Sequence, residues 1–134
     1  MKHQGIVLIY EWEREKERQF RRFCEIKDIK VKSISPDLYS ETMGVLAEIS
    51  GIRKNGKQDL GGKLGEEMMV FAGMDSEKIG HFLDTCYMAG IRSVQLKAVI
   101  TPYNIFWNSR QLYQELKKER ESLLSTRSEN TEDL

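Results

Sequence analysis

Thr101, Asn104 and Trp107 recur at intervals of three. On a helical turn they share one side, and a hydroxyl, an amide and an indole N–H then stand together. That set suits hydrogen bonding to a small polar ligand. The same residue types also serve structure, with Thr101 and Asn104 capping a helix start and Trp107 anchoring the core, and capping is their commoner use. Lys97 lies on the opposite strand face from Leu96 and Ala98, so it reaches the surface or extends into a pocket; an exposed lysine is the commoner case. Trp12 follows the first apolar run and offers an aromatic wall. These five residues, Trp12, Lys97, Thr101, Asn104 and Trp107, are the candidate ligand-binding set. An enzymatic reading requires acidic and basic groups from both halves, such as Glu11, Asp75 and Lys97, around one reacting atom.

Other chemistries find less support. His81 and His3 have no evident shared site, and Cys24 and Cys86 fall on apolar helix faces, so no metal and no cofactor are expected. There is no nucleophile elbow and no marked pair of carboxylates. Gly51-x4-Gly56-Lys57 looks like a phosphate loop, but Gln58 stands where the metal-binding Ser or Thr is needed, and a helix rather than a strand precedes it.

The elements that must position the candidates read in order. Ile6–Tyr10 is a continuous branched apolar run, fitting a strand buried on both faces. Glu11–Glu25 is a charged helix with Phe20, Phe23 and Cys24 on one face. Ile29–Ile34 alternates as an edge strand guarded by Lys30 and Lys32. Ser35-Pro36 starts a helix whose face is Leu38, Thr42, Val45, Leu46 and Ile49, ended by Gly51. Residues 52–65, rich in glycine and lysine, read as a linker. Glu67–Ala72 is the second buried strand. Asp75 caps the helix bearing Ile79, Phe82, Leu83 and Cys86, with Met74 packing on Ile79. Val94, Leu96, Ala98 and Ile100 alternate as a strand. Thr101-Pro102 is a helix start, followed by a second at Asn108, where Gln111 completes a capping box. Leu112, Leu116, Leu123 and Leu124 carry the last helix, and residues 125–134 are an expected disordered tail.

The halves 5–51 and 66–124 repeat the order strand, helix, strand, Ser/Thr-Pro, helix. Phe20, Cys24 and Ile29 match Phe82, Cys86 and Ile91 at a constant offset of 62. The expected fold is therefore one α/β domain over 1–124: two consecutive βαβα units forming one four-stranded sheet with packed helices, the alternative being a ferredoxin-like α+β layout. Ile6–Ile9 and Met68–Phe71 are the expected central strands. Ligands of open α/β sheets sit beyond the carboxyl ends of the strands, which places the candidate cleft there.

The chain of 134 residues balances 21 acidic against 21 basic side chains. Zero formal charge gives no global attraction to nucleic acid or an anionic membrane. The basic stretch Arg53–Lys63 has no interleaved aromatic residue for stacking bases. No apolar run approaches the length of a membrane span, and Gly5–Tyr10 is too short for a signal-peptide core. The expected address is the cytoplasm, with reduced thiols.

Glu66, Met68, Val70, Phe71 and Gly73, followed by Leu96, Lys97, Ala98, Thr101, Asn104 and Trp107, resemble the pattern of a prokaryotic family, domain of unknown function family 3783. The resemblance covers about residues 66–121. One spacing departs from the pattern, since Phe71 follows Val70 directly. The resemblance supports the α/β reading and singles out Lys97, Thr101, Asn104 and Trp107; it carries no activity, cofactor or catalytic residue. The leading expectation is a non-enzymatic binding or regulatory module, a homodimer, with a small ligand or a protein as partner. The alternative is a small-molecule enzyme with its site at the strand ends.

Overall fold

Strand β1 (Ile6–Tyr10) and strand β3 (Met68–Ala72) are the apolar runs of the sequence, and nearly every residue in them is buried. A computed structural model gives the fold of residues 5–132, with side chains described through residue 125. His3 and residues 133–134 lie outside the described part. Helix α1 (Arg14–Ile26) and strand β2 (Lys30–Ser33) follow β1, and a short helix α2 (Met43–Leu46) completes the first half. Helix α3 (Ser76–Met88), strand β4 (Leu96–Val99) and helix α4 (Ser109–Glu132) complete the second.

The four strands form one sheet in the order β2-β1-β3-β4. Successive side chains of a strand point to opposite faces. Val7, Ile9, Met69 and Phe71 thus face α1 and α3, meeting Phe20, Cys24, Phe82 and Cys86. Leu8, Tyr10, Met68 and Val70 face the other way, onto Tyr39, Met43, Leu46, Leu112 and Tyr113. Helices cover both faces, which makes an α/β sandwich of three layers. The ferredoxin-like alternative, with helices on one face, is not the fold.

Pairing is parallel within each half and antiparallel between halves. β1 runs parallel to β2, and β3 to β4. β1 opposes β3 with Ile6 beside Ala72 and Tyr10 beside Met68. The central pair, Leu8 with Val70, joins residues 62 apart, so an approximate two-fold axis runs through the middle of the sheet. The elements obey it. β1 and β3 have five residues each, starting at 6 and 68. α1 and α3 have thirteen each, starting at 14 and 76. β2 and β4 have four each, starting at 30 and 96, a shift of 66. Thr42 bridges Asn108, again 66 apart, over the same axis. Left-handed backbone at Glu11 and Asp28 recurs 62 residues later at Gly73 and Gly90.

Two helix starts differ from the sequence reading. After Ser35 only a 3-10 turn forms, Pro36–Leu38, and α2 restarts at Met43. The break is imposed across the axis: Met43 N–H donates to Trp107 O at 2.8 Å and Gly44 N–H to Ile105 O at 2.9 Å. Glu41 meanwhile turns its carboxylate back onto Thr42 N–H at 2.9 Å and Asn55 N–H at 3.2 Å. Thr101-Pro102 opens a series of turns, and α4 begins after Asn108. There the capping box is reciprocal: Asn108 N–H donates to Gln111 Oε1 at 2.8 Å, and Gln111 N–H to Asn108 Oδ1 at 2.9 Å. The backbone of α4 is helical through Glu132, and residues 133–134 of the expected tail lie outside the described residues. No helix among the described residues is long and apolar enough to cross a membrane.

Candidate functional site

The antiparallel centre decides where the candidates go. β1 and β2 end at the pole where β3 and β4 begin, so the strand ends do not open on one common cleft. Glu11 follows β1 at one pole, and Asp75 follows β3 at the other. The length of a five-residue strand, roughly 16 Å, separates them. The enzymatic grouping of Glu11, Asp75 and Lys97 around one atom is therefore ruled out.

At the first pole the chain leaves β1 through Glu11, whose φ of 58° is left-handed. This turn delays α1 to Arg14 and aims the Glu11 carboxylate at residues 64–65. It accepts Tyr39 O–H at 3.0 Å, Gly65 N–H at 3.1 Å, and Leu64 N–H. Trp12 donates its indole N–H to Met68 O at 3.3 Å and lies against Phe20, ring centres 4.7 Å apart. Lys16 lies 4.7 Å from the Trp12 ring and pairs with Glu67 at 2.7 Å. A depression of about 330 Å³ opens here, bordered by Glu11, Trp12, Ser33, Ser35, Tyr39 and Lys63. Its carboxylate is already engaged by the linker. Burial, and then the Glu11 carboxylate, push the Tyr39 phenol up from its ordinary pKa.

Thr101 and Asn104 do meet, as their spacing implies, but they serve the turn. Thr101 N–H donates to Asn104 Oδ1 at 2.9 Å, Asn104 Nδ2 donates to Val99 O at 3.0 Å, and Thr101 Oγ1 accepts from Tyr103 N–H at 3.2 Å. Trp107 packs on the Leu112 side of the core and meets the Tyr103 ring at 5.3 Å. Trp12, Lys97 and Trp107 line three separate depressions.

The groove that sequence reading missed lies between β4 and α4. Its volume is about 350 Å³, and Leu96, Lys97, Leu116, Glu119, Leu123 and Leu124 line it. Leu123 and Leu124, read from sequence among the leucines that carry the last helix, are 68% and 55% exposed. The reason is that α4 outruns the four-residue strand beside it. Arg120 ties helix to sheet, donating to Glu66 at 2.6 Å and to Gln95 Oε1 at 2.8 Å.

The linker is held by carboxylates, which makes its attachment sensitive to acid. Arg110 grips Asp59 with two hydrogen bonds, at 2.8 and 2.6 Å, and Ser40 Oγ adds a third at 2.6 Å. The Arg110 guanidinium holds the Asp59 carboxyl well below the usual carboxylate range, as Arg120 does, less far, for Glu66. Both groups ionise more readily folded than unfolded. Their contribution is complete above the unfolded carboxylate range, about pH 4, and is lost as pH falls through the lower folded values. Thermal melts are therefore expected to drop steeply below about pH 4.5 in the native chain and less steeply in Asp59→Asn. Parallel pH curves for the two proteins would refute the assignment.

Among the described residues no three His, Cys, Asp or Glu side chains cluster as metal ligands. Cys24 and Cys86 are free and buried, and burial pushes the Cys86 thiol up to about 12. No curated protein and no solved structure matches the chain. Residues 67–123, which comprise β3, α3, β4 and α4 as far as Leu123, match the family described as Domain of unknown function (DUF3783), the family that the Lys97–Trp107 block resembles.

Proposed function

We propose that this chain is a non-enzymatic, cytoplasmic interaction module that self-associates, and that the groove between β4 and α4 is its docking surface. The observation that carries the reading is the pair Leu123 and Leu124, held in the open on a helix whose earlier turn buries Leu112 and Tyr113. Exposed leucines beside an apolar groove mark interaction sites. The groove carries both signs of charge, Lys97 and Glu119, and the chain as a whole is neutral, so two copies meet without net repulsion. The two-fold relation of the halves further supports their origin as a duplicated βαβα unit. Free buried thiols accord with a reducing compartment.

Light scattering after size exclusion tests this reading. The native chain is expected to exceed its 15.6 kDa monomer mass, and the double substitution Leu123→Gln/Leu124→Gln to return it to that mass with unchanged circular dichroism. A native chain that stays monomeric at high concentration would sink self-association. A second reading places a small ligand in the depression beside Trp12, favoured by its polar rim and aromatic wall. A thermal-shift screen in which every stabilising compound acts equally on Trp12→Ala would remove it.

A further inference from the structure

The basic linker 53–63 and the turns at 101–108 are far apart in sequence and adjacent in the fold. A Cβ added to Gly44 would strike the side chains of both Ile52 and Ile105. From Ile52 the linker runs back beside residues 40–44, where Asn55 Nδ2 donates to Ser40 O at 2.9 Å. It then reaches Arg110, which holds Asp59 and donates to Gly62 O at 2.6 Å. Arg110 in turn shares a shallow hollow of about 460 Å³ with Trp107. The sequence places no aromatic residue within the basic stretch; the fold sets Tyr103, Phe106 and Trp107 beside it. Tyr103 and Phe106 are 81% and 69% exposed, and Tyr103 meets Trp107 at 5.3 Å. Arg53, Lys54, Lys57 and Lys63 are exposed, and among the described residues none of them pairs with a carboxylate. The acids nearby are engaged elsewhere: Asp59 by Arg110, Glu41 by the amides of Thr42 and Asn55, and Glu115 by Lys118 at 3.7 Å. These carboxylates fix the linker backbone and leave its basic side chains in the solvent.

We propose that this surface binds single-stranded nucleic acid, with the linker cations on the phosphates and the Tyr103 and Phe106 rings stacked on bases. Unpaired cations along a backbone track, beside open aromatic faces, are the two parts such sites combine. The proposal is independent of self-association, which uses Leu123 and Leu124. A duplex fits less well, because its bases are already stacked on one another and offer no face to a protein ring. An acidic peptide would satisfy the cations and leave the rings without a partner. The zero net charge of the chain does not oppose binding. At physiological ionic strength charges are screened beyond about 8 Å, so a phosphate meets the local cations rather than the distant acids. The linker is tied down before the ligand arrives, which reduces the ordering cost of binding.

Fluorescence polarisation of end-labelled oligouridylate and oligothymidylate, each about twelve nucleotides long, tests the site on the full chain. Both are expected to bind at about 50 mM salt, with log affinity falling against log salt at a slope of about 3, since each phosphate neutralised on a single strand contributes about 0.7. Arg53→Gln/Lys54→Gln/Lys57→Gln is expected to lower that slope by about 2. Phe106→Ala is expected to weaken binding about tenfold and leave the slope unchanged. The control Arg18→Gln/Arg22→Gln/Lys78→Gln removes the same charge from α1 and α3, on the other face of the sheet, and is expected to bind as the native chain does. All these side chains are exposed, and circular dichroism checks that each variant keeps the fold. Tighter binding of oligouridylate assigns the site to RNA through its 2′-hydroxyls, and equal binding assigns it to single strands of either kind; both results uphold the proposal. No binding of either strand, or equal losses in the two triple variants, overturns it. Full affinity in Phe106→Ala, or oligoglutamate competing as well as the oligonucleotides, also overturns it and gives the surface to an acidic protein segment.

Discussion

Phe82→Ala is expected to lower the stability of the chain by about 3–5 kcal/mol in urea denaturation. Phe82 is 3% exposed and is the meeting point of the two halves on the α1–α3 face. Its ring meets Phe20 and Phe71 edge-on at 5.9 Å each, and Phe23 at 5.4 Å. Truncation removes the transfer energy of the ring and leaves a cavity that three other rings cannot fill, since their backbones belong to α1 and β3. Small domains hold only about 5–15 kcal/mol in total, so the loss is a large fraction of the whole. Phe20→Ala should cost a similar amount, because the two-fold axis sets Phe20 and Phe82 in equivalent places. The double substitution should cost less than the two added, since the residues touch. A loss below about 1 kcal/mol for Phe82→Ala would mean that this aromatic centre is not formed.

Glu67→Ala is expected to cost about 3 kcal/mol, the lower end of the range for breaking a buried ion pair. The Lys16 side chain is 5% exposed, and its ammonium lies 2.7 Å from Glu67, which is 29% exposed. Without the carboxylate, the ammonium keeps only the face of Trp12 and whatever water reaches the Glu67 side. The companion Lys16→Met/Glu67→Leu should recover most of the loss, because removing both charges also removes the need to desolvate them. Urea denaturation of the native chain and the two variants checks the pair. Equal losses in Glu67→Ala and in the double variant would show that packing, not charge, sets the cost.

The sequence made the elements legible wherever side-chain period or capping chemistry acts over a few residues. The runs Ile6–Tyr10 and Met68–Ala72, the Asp75 cap and the reciprocal Asn108–Gln111 box all rest on such local rules, and all are in the structure. What failed depends on contacts from afar. The helix expected after Ser35 breaks because Trp107 and Ile105, more than sixty residues on, take the amides of Met43 and Gly44. Nothing in the alternation of β1 or β3 says whether they pair parallel or antiparallel, since both faces of each strand are apolar. That one undetermined sign moved Trp12 and Asp75 to opposite poles and dissolved the shared cleft. Leu123 and Leu124 continue the apolar stripe of α4, but whether a sheet lies beneath them depends on where β4 starts. The matched spacing was visible at Phe20, Cys24 and Ile29 with a shift of 62 and at Ser35-Pro36 and Thr101-Pro102 with a shift of 66; the Thr42–Asn108 bridge, also 66 apart, was not, because the two positions share no residue type.

The two crossover units are coupled by the β1–β3 ladder and by the Thr42–Asn108 bridge, whereas the covalent connection, residues 47–67, contains no regular element. A tether of this kind acts mainly through effective concentration, and each doubling of its length costs only about 0.6 kcal/mol. The chain therefore tolerates long inserts near Gly56, where the left-handed backbone has open space around it. The same reasoning makes residue 56 a natural point of division: two polypeptides ending and starting there retain every strand pairing of the intact sheet and forgo only the proximity that the peptide link provides.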